Sequence, residues 1–177
     1  MTERLPVYID PQRFADSGRR LRGQLPLSGM ERLTSALHSA SGSVEVDLQF
    51  EVDRHRRVAV TGTLYAVLDL VCQRCMLGMP FAVQRAVRLA PVSDETEIEI
   101  LAEGFEPMML DENGLVALAD LIEDELILAL PMISTHAKAD CSIRTEFGGD
   151  PETMRELASE PEIRRNPFEV LTGLKLG

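Results

Sequence analysis

The chain has 177 residues, 45% of them apolar, with few aromatics and no tryptophan, so one aliphatic core is the expected scale. Its formal net charge is −11, which is unfavourable for sequence-independent nucleic-acid binding by the chain as a whole. The charge is segregated. Residues 1–88 carry 12 Arg against 9 acids, residues 89–137 carry 12 acids and no Lys or Arg, and residues 138–177 carry 6 basic against 8 acidic residues. Two different surfaces are expected, or simply acids that keep the protein soluble. No apolar run approaches the roughly 18–20 residues of a membrane helix. The opening MTERLPVYIDPQ lacks the build of a signal peptide, and three cysteines do not make a disulfide framework, so a cytoplasmic setting is expected.

In chain order, residues 5–9 alternate weakly and end at Asp10-Pro11, a turn or helix start. Arg19 to Leu27 reads as a strand, with Leu21, Gly23, Leu25 and Leu27 on one face and Arg20 and Arg22 on the other. Ser28 to Glu31 fits a capping box that opens a helix from about Gly29 to Ser39, burying Met30, Leu33 and Leu37. The segment 43–53 alternates cleanly between Val44, Val46, Leu48, Phe50, Val52 and acidic or polar residues, the pattern of an antiparallel sheet wet on one side.

Arg54-His55-Arg56-Arg57 then turns into a long hairpin, residues 64–89. Leu64, Ala66, Leu68, Leu70 and Cys72 share one parity on the first arm; Phe81, Val83, Val87 and Leu89 share one on the return arm, with Arg85 as the exception. Cys72-Gln73-Arg74-Cys75 lies at the bend, and Gly78 and Pro80 are expected to interrupt pairing. Residues 93–101 suit a short acidic helix, residues 104–110 an edge strand containing Pro107, and residues 115–130 the strongest helix. Its stripe of Leu118, Leu121, Ile122, Leu126 and Ala129 opposes Asp120, Glu123 and Asp124, and Pro131 stops it.

The expected fold class is α+β: an antiparallel β-meander sheet packed by two main helices. Residues 1–133 form the core domain, residues 134–165 a mobile polar segment, and residues 166–177 a C-terminal docking helix.

Several constellations carry chemistry. The spacing of Cys72 and Cys75 suits two thiolates on one zinc, and His136 and Cys141 supply enough donors for a site of three sulfurs and an imidazole. A redox dithiol or plain structural thiols are the alternatives, so either no cofactor or zinc is expected. Glu125 falls inside the apolar stripe of its helix, where it either pairs with Arg74 as a buried structural pair or reaches solvent. Arg19, Arg20, Arg22, Arg54, Arg56 and Arg57, with Arg74, suit an RNA or partner contact, or are solvated surface. Asp120, Glu123 and Asp124 suit an acidic face for a basic protein, or are likewise solvated. No nucleophile context or phosphate loop is present, and the chain is not expected to be an enzyme.

Four stretches give the chain a resemblance to a known family. They are Ile9-Asp10-Pro11, the VCQRC run at Val71 to Cys75, the run from Gly104 to His136 with Cys141 after it, and Asn166 to Lys175. In this order they resemble the YceD family of bacterial large-subunit ribosomal-RNA accumulation proteins, which has plant plastid relatives. The family's hallmark positions map onto Cys72, Arg74, Cys75, Glu123, Asp124, Glu125, Pro131, His136, Cys141, Asn166, Pro167 and Phe168. The resemblance implies a non-catalytic ribosome-biogenesis factor supporting synthesis, processing or stability of 23S ribosomal RNA. Its partners would be that RNA or its precursor, directly or indirectly, or a basic large-subunit ribosomal protein held on the acidic surface, with no membrane and no small-molecule substrate.

Overall fold

A computed structural model describes residues 4–54, 56–137 and 140–143. The chain divides into Met1–Ile143 and Arg144–Gly177; everything below concerns the first unit. The expected polar segment beyond residue 143 and the C-terminal helix at 166–177 lie outside the described residues.

The short strand β1 (Tyr8–Ile9) leads into α1 (Pro11–Asp16), where Asp10 caps the helix by accepting from the Arg13 amide and Pro11 supplies a pre-set first turn. Strand β2 (Arg20–Pro26) is followed by a 3₁₀ turn (Leu27–Gly29), the one-turn helix α2 (Glu31–Thr34) and β3 (Leu37–Ser39). The three long strands are β4 (Ser43–Val52), β5 (Val58–Val71) and β6 (Gly78–Val92). Then come α3 (Glu95–Ile98), β7 (Glu106–Met109), β8 (Val116–Ala117) and α4 (Leu118–Leu128).

Six strands form the main sheet, in the order β2-β4-β5-β6-β7, with β3 pairing the far end of β5. All pairs are antiparallel except β6 with β7, which run parallel. The separate β1–β8 pair brings Tyr8 opposite Ala117. The α+β class and the β4-β5-β6 meander are as expected.

The inward row consists of Leu21, Val44, Val46, Leu48, Phe50, Val60, Leu64, Ala66, Leu68, Leu70, Val83, Val87 and Leu89, all buried. Each such side chain is worth about 1.5–3 kcal/mol on full burial. Helix α4 closes this face with Leu118, Ile122 and Leu126, and α2 adds Leu33. Phe14 of α1 meets Phe50 edge-on at 5.3 Å. Gly62 sits opposite Leu48, where a Cβ would run into the Asp47 carbonyl oxygen; only glycine lets β4 and β5 approach this closely.

Several expectations need correction. The helix expected from Gly29 to Ser39 is one turn, because Leu37 leaves it to pair with Leu70 of β5. There is therefore one main helix, α4, among the described residues. The capping box at Ser28 does not form; α2 has no side-chain cap of its own. Val116 and Ala117, assigned to the main helix, are the strand β8. Gly78 and Pro80 do not interrupt the hairpin but pair within it, opposite Val71 and Asp69. Val52, expected in the core, is 39% exposed. Residues 134–136, assigned to the mobile segment, are tied to the hairpin tip: the Gln73 amide donates to the Ser134 carbonyl at 2.8 Å. Among the described residues no helix is long and apolar enough to cross a membrane.

Candidate metal centre

The register Val71↔Gly78 leaves residues 72–77 as the tip of the β5–β6 hairpin. Two backbone bonds close it: Cys72 N–H to the Leu77 carbonyl at 2.9 Å and Met76 N–H to the Cys72 carbonyl at 2.8 Å. Met76 takes a left-handed φ of 61° to make the turn, an uncommon conformation for a side-chain-bearing residue. The strand parity that buries Leu68 and Leu70 also turns Cys72 inward, fully buried. The chain leaving α4 then returns to this tip, bringing His136 and Cys141.

One donor atom from each of Cys72, Cys75, His136 and Cys141 lies within 4.8 Å of all the others. Cys75 Sγ is 3.4 Å from His136 Nδ1, and the other ring nitrogen, Nε2, is 3.2 Å from the Gly78 carbonyl oxygen. The His136 amide donates to Cys72 Sγ at 3.4 Å. All three cysteines are free thiols.

The electrostatics favour negative sulfur at Cys72 and Cys75. Burial opposes ionisation of Cys72, but amides of Cys75, His136 and Arg74 directed at its sulfur bring that thiol down to about 5. The Leu77 amide likewise lowers Cys75. At Cys141 the Ile143 amide pulls downward, yet burial and the neighbouring Cys75 push this thiol up, the Arg74 charge opposing them only in part. The sulfurs of Cys72 and then Cys75 raise the imidazole of His136.

The other predicted residues fall elsewhere. Glu125 does not pair with Arg74. Its carboxylate, 5% exposed, accepts from Arg85 Nε at 2.8 Å, while Arg85 Nη2 reaches Glu106 at 2.8 Å. The reason lies in register: Arg85 stands opposite Leu64 in the middle of the sheet, under α4, whereas Arg74 is half-buried at the tip. Sequence reasoning noted both pattern breaks, Arg85 and Glu125, without joining them.

Glu123 is also misassigned to an exposed acidic face. It is buried and accepts from the Leu33 amide at 2.9 Å, supplying from α4 the cap that α2 lacks. Arg32 binds Glu123 at 3.0 Å and Asp124 at 2.6 Å. Burial works against charge on Glu123, but the Leu33 amide and Arg32 hold its carboxyl below the ordinary range. Asp120 and Asp124 remain exposed on α4, Asp124 already partnered.

The arginines gather at the far end of the sheet. The register Arg20↔Gln49 and the bond from Phe50 N–H to the Arg19 carbonyl put the start of β2 beside the β4–β5 turn that carries Arg54, Arg56 and Arg57. Arg74 lies at the other end of β5, about 3.3 Å per residue along the 14-residue strand, and does not join them. Arg20 and Arg22 both bind Asp47, at 2.7 and 2.9 Å, Arg57 binds Asp53 at 3.0 Å, and Arg19 lies over the Phe14 ring at 4.4 Å. Arg54 and Arg56 are exposed.

Among the described residues, fold and site together define an α+β protein whose sheet is covered on one face by a single main helix and whose hairpin tip gathers three thiols and an imidazole. The family model described as "Large ribosomal RNA subunit accumulation protein YceD" matches residues 60–175. The chain is 34% identical to the Large ribosomal RNA subunit accumulation protein YceD of Haemophilus influenzae, over 97% of each chain. It belongs to the YceD family. No solved structure matches it.

Proposed function

We propose that this protein supports accumulation of large-subunit ribosomal RNA, acting in the cytoplasm as a non-catalytic factor in ribosome biogenesis. Family membership over nearly the whole chain is the observation that carries this reading. The chemistry of the site agrees with it. The thiols and imidazole face one another at the hairpin tip, and the buried carboxylates are each engaged by an arginine, so both constellations serve to hold the framework.

The sheet face away from α4 is the surface offered to partners. Arg20 and Arg22 lie on it with Asp47, as do Tyr65 and Val67, 45% and 48% exposed. A salt-sensitive contact with ribosomal RNA precursor through the arginine end is the direct form of the hypothesis. The indirect form is retention of a basic large-subunit protein by the acidic stretch, favoured by the 12 acids and absence of Lys or Arg across residues 89–137.

Deletion of the gene should lower 23S ribosomal RNA relative to 16S, and the protein should co-sediment with large-subunit precursors. Normal ribosomal-RNA levels after deletion, with no co-sedimentation, would sink the proposal. Crosslinking separates the two forms, by whether RNA or protein is captured and whether charge reversal at Arg54 and Arg56, or at Asp120 and Asp124, removes it.

A further inference from the structure

We propose that Cys72, Cys75 and Cys141, as thiolates, and His136 through Nδ1, together bind one structural zinc ion that staples the chain beyond α4 to the hairpin tip. The geometry comes first. Ligands about 2.3 Å (sulfur) and about 2.0–2.1 Å (nitrogen) from a tetrahedral centre lie roughly 3.5–3.8 Å from one another. The Cys75–His136 separation of 3.4 Å lies just below this range, and the whole set falls within 4.8 Å. A contraction of about an ångström on the widest edges completes the tetrahedron.

The imidazole is oriented as a ligand. A histidine that binds metal through one nitrogen usually donates the other N–H to a carbonyl or carboxylate, which fixes its tautomer. Here Nε2 meets the Gly78 carbonyl oxygen at 3.2 Å, leaving the lone pair of Nδ1 directed at the sulfurs. A histidine serving only to fill space has no need of both arrangements at once.

The sulfurs are also prepared. Amides of Arg74, Cys75 and His136 are directed at Cys72, that of Leu77 at Cys75 and that of Ile143 at Cys141. Such donors neutralise part of the charge that three thiolates bring to one divalent cation. The left-handed turn at Met76 lies between Cys75 and Leu77, within the tip that supplies the Arg74, Cys75 and Leu77 amides.

The rival redox reading fits less well. Cys72 is fully buried and Cys75 only partly exposed, whereas a dithiol that exchanges with partners needs an accessible attacking sulfur. The third thiol and the imidazole would also have no role in it. Zinc is favoured over other ions because the donor set is sulfur with one nitrogen and tetrahedral, and four protein donors leave no open position for chemistry. The donors come from segments 61 residues apart in the chain, so the ion cross-links a long loop. Binding releases protons from the thiols and involves no change of oxidation state.

The full chain, expressed with zinc available and purified reduced without chelator, should carry stoichiometric zinc by elemental analysis. Cobalt substituted for zinc should give the visible bands of a tetrahedral thiolate site. Cys141→Ser and His136→Ala should weaken zinc binding at least tenfold, while Cys141→His, which keeps a ligand, should retain the metal. A strong chelator should lower the melting temperature of the native chain and leave that of a folded Cys141→Ser chain unmoved. A folded, reduced native chain that holds no stoichiometric metal, holds iron instead, or melts identically with and without chelator would overturn the assignment. Neither result bears on ribosomal-RNA accumulation, which is read separately by deletion.

Discussion

Carboxylates meet arginines on both faces of the same sheet, with different consequences. On the covered face, Arg85 and Glu125 lie between β6 and α4, with Glu125 5% exposed and Arg85 29% exposed. On the open face, Arg20 and Arg22 straddle Asp47, with side chains 51%, 63% and 30% exposed. The distances are alike, 2.8 Å against 2.7 and 2.9 Å. Distance therefore does not rank them; water does. An exposed pair exchanges one good solvation for another, whereas a buried charge that loses its partner keeps the full cost of leaving water.

Removal of Arg85 should break this contrast most severely. Arg85→Met leaves the Glu125 carboxylate buried without its cation and should lower stability by about 3–5 kcal/mol, read from the urea midpoint. Glu125→Gln should cost less, about 1–3 kcal/mol, because Arg85 keeps Glu106 and the amide oxygen still accepts. The double variant Arg85→Met with Glu125→Leu should recover most of the loss, since a buried ion pair is often no better than apolar packing. If Arg85→Met unfolds no more readily than Asp47→Asn, the contrast between the faces is wrong.

Glu123→Gln comes next, at about 1–3 kcal/mol, because the Leu33 amide and Arg32 lose a charged acceptor. Its pH dependence follows from the lowered pKa of Glu123. A carboxyl more acidic folded than unfolded binds its proton preferentially in the unfolded chain. Its stabilisation is whole above the ordinary carboxylate range and lost as pH falls through the folded value. The native chain should therefore lose more stability between pH 6 and pH 3 than Glu123→Gln; equal slopes would count against the assignment.

Asp47→Asn should be the smallest effect, about 0.2–1 kcal/mol, shrinking further with added salt. Its carboxyl is also lowered, chiefly by Arg20 and despite some desolvation, but the arginines remain largely in water. Binding assays, not melting curves, are where this site should register.

The sequence disclosed local periodicity and hid long-range partnership. Alternation in β4, β5 and β6 named most inward side chains, since strand parity is a local property. The group of Cys72, Cys75, His136 and Cys141 was reachable by counting donors, although only the structure brings them together. The pairing of Glu125 was missed because a helical wheel says which way a residue points and nothing about the strand it meets. Two breaks of apolar pattern with opposite charges, Arg85 and Glu125, were the available signal. The turn at α2 was overextended because positions 33 and 37 suit either period once the chain is free to change direction after Ala36. The parallel β6–β7 pairing and the β1–β8 pair carry no local mark in either partner.

That last pair sets a timetable for synthesis. Tyr8 finds Ala117 only after more than a hundred intervening residues have been made, and the lid helix begins one residue later. At roughly 5–20 residues per second, the guanidinium of Arg85 waits on the order of seconds for Glu125 to emerge, Glu106 having been made first. Until then the apolar face that α4 covers, with Arg85 set into it, stays open to water.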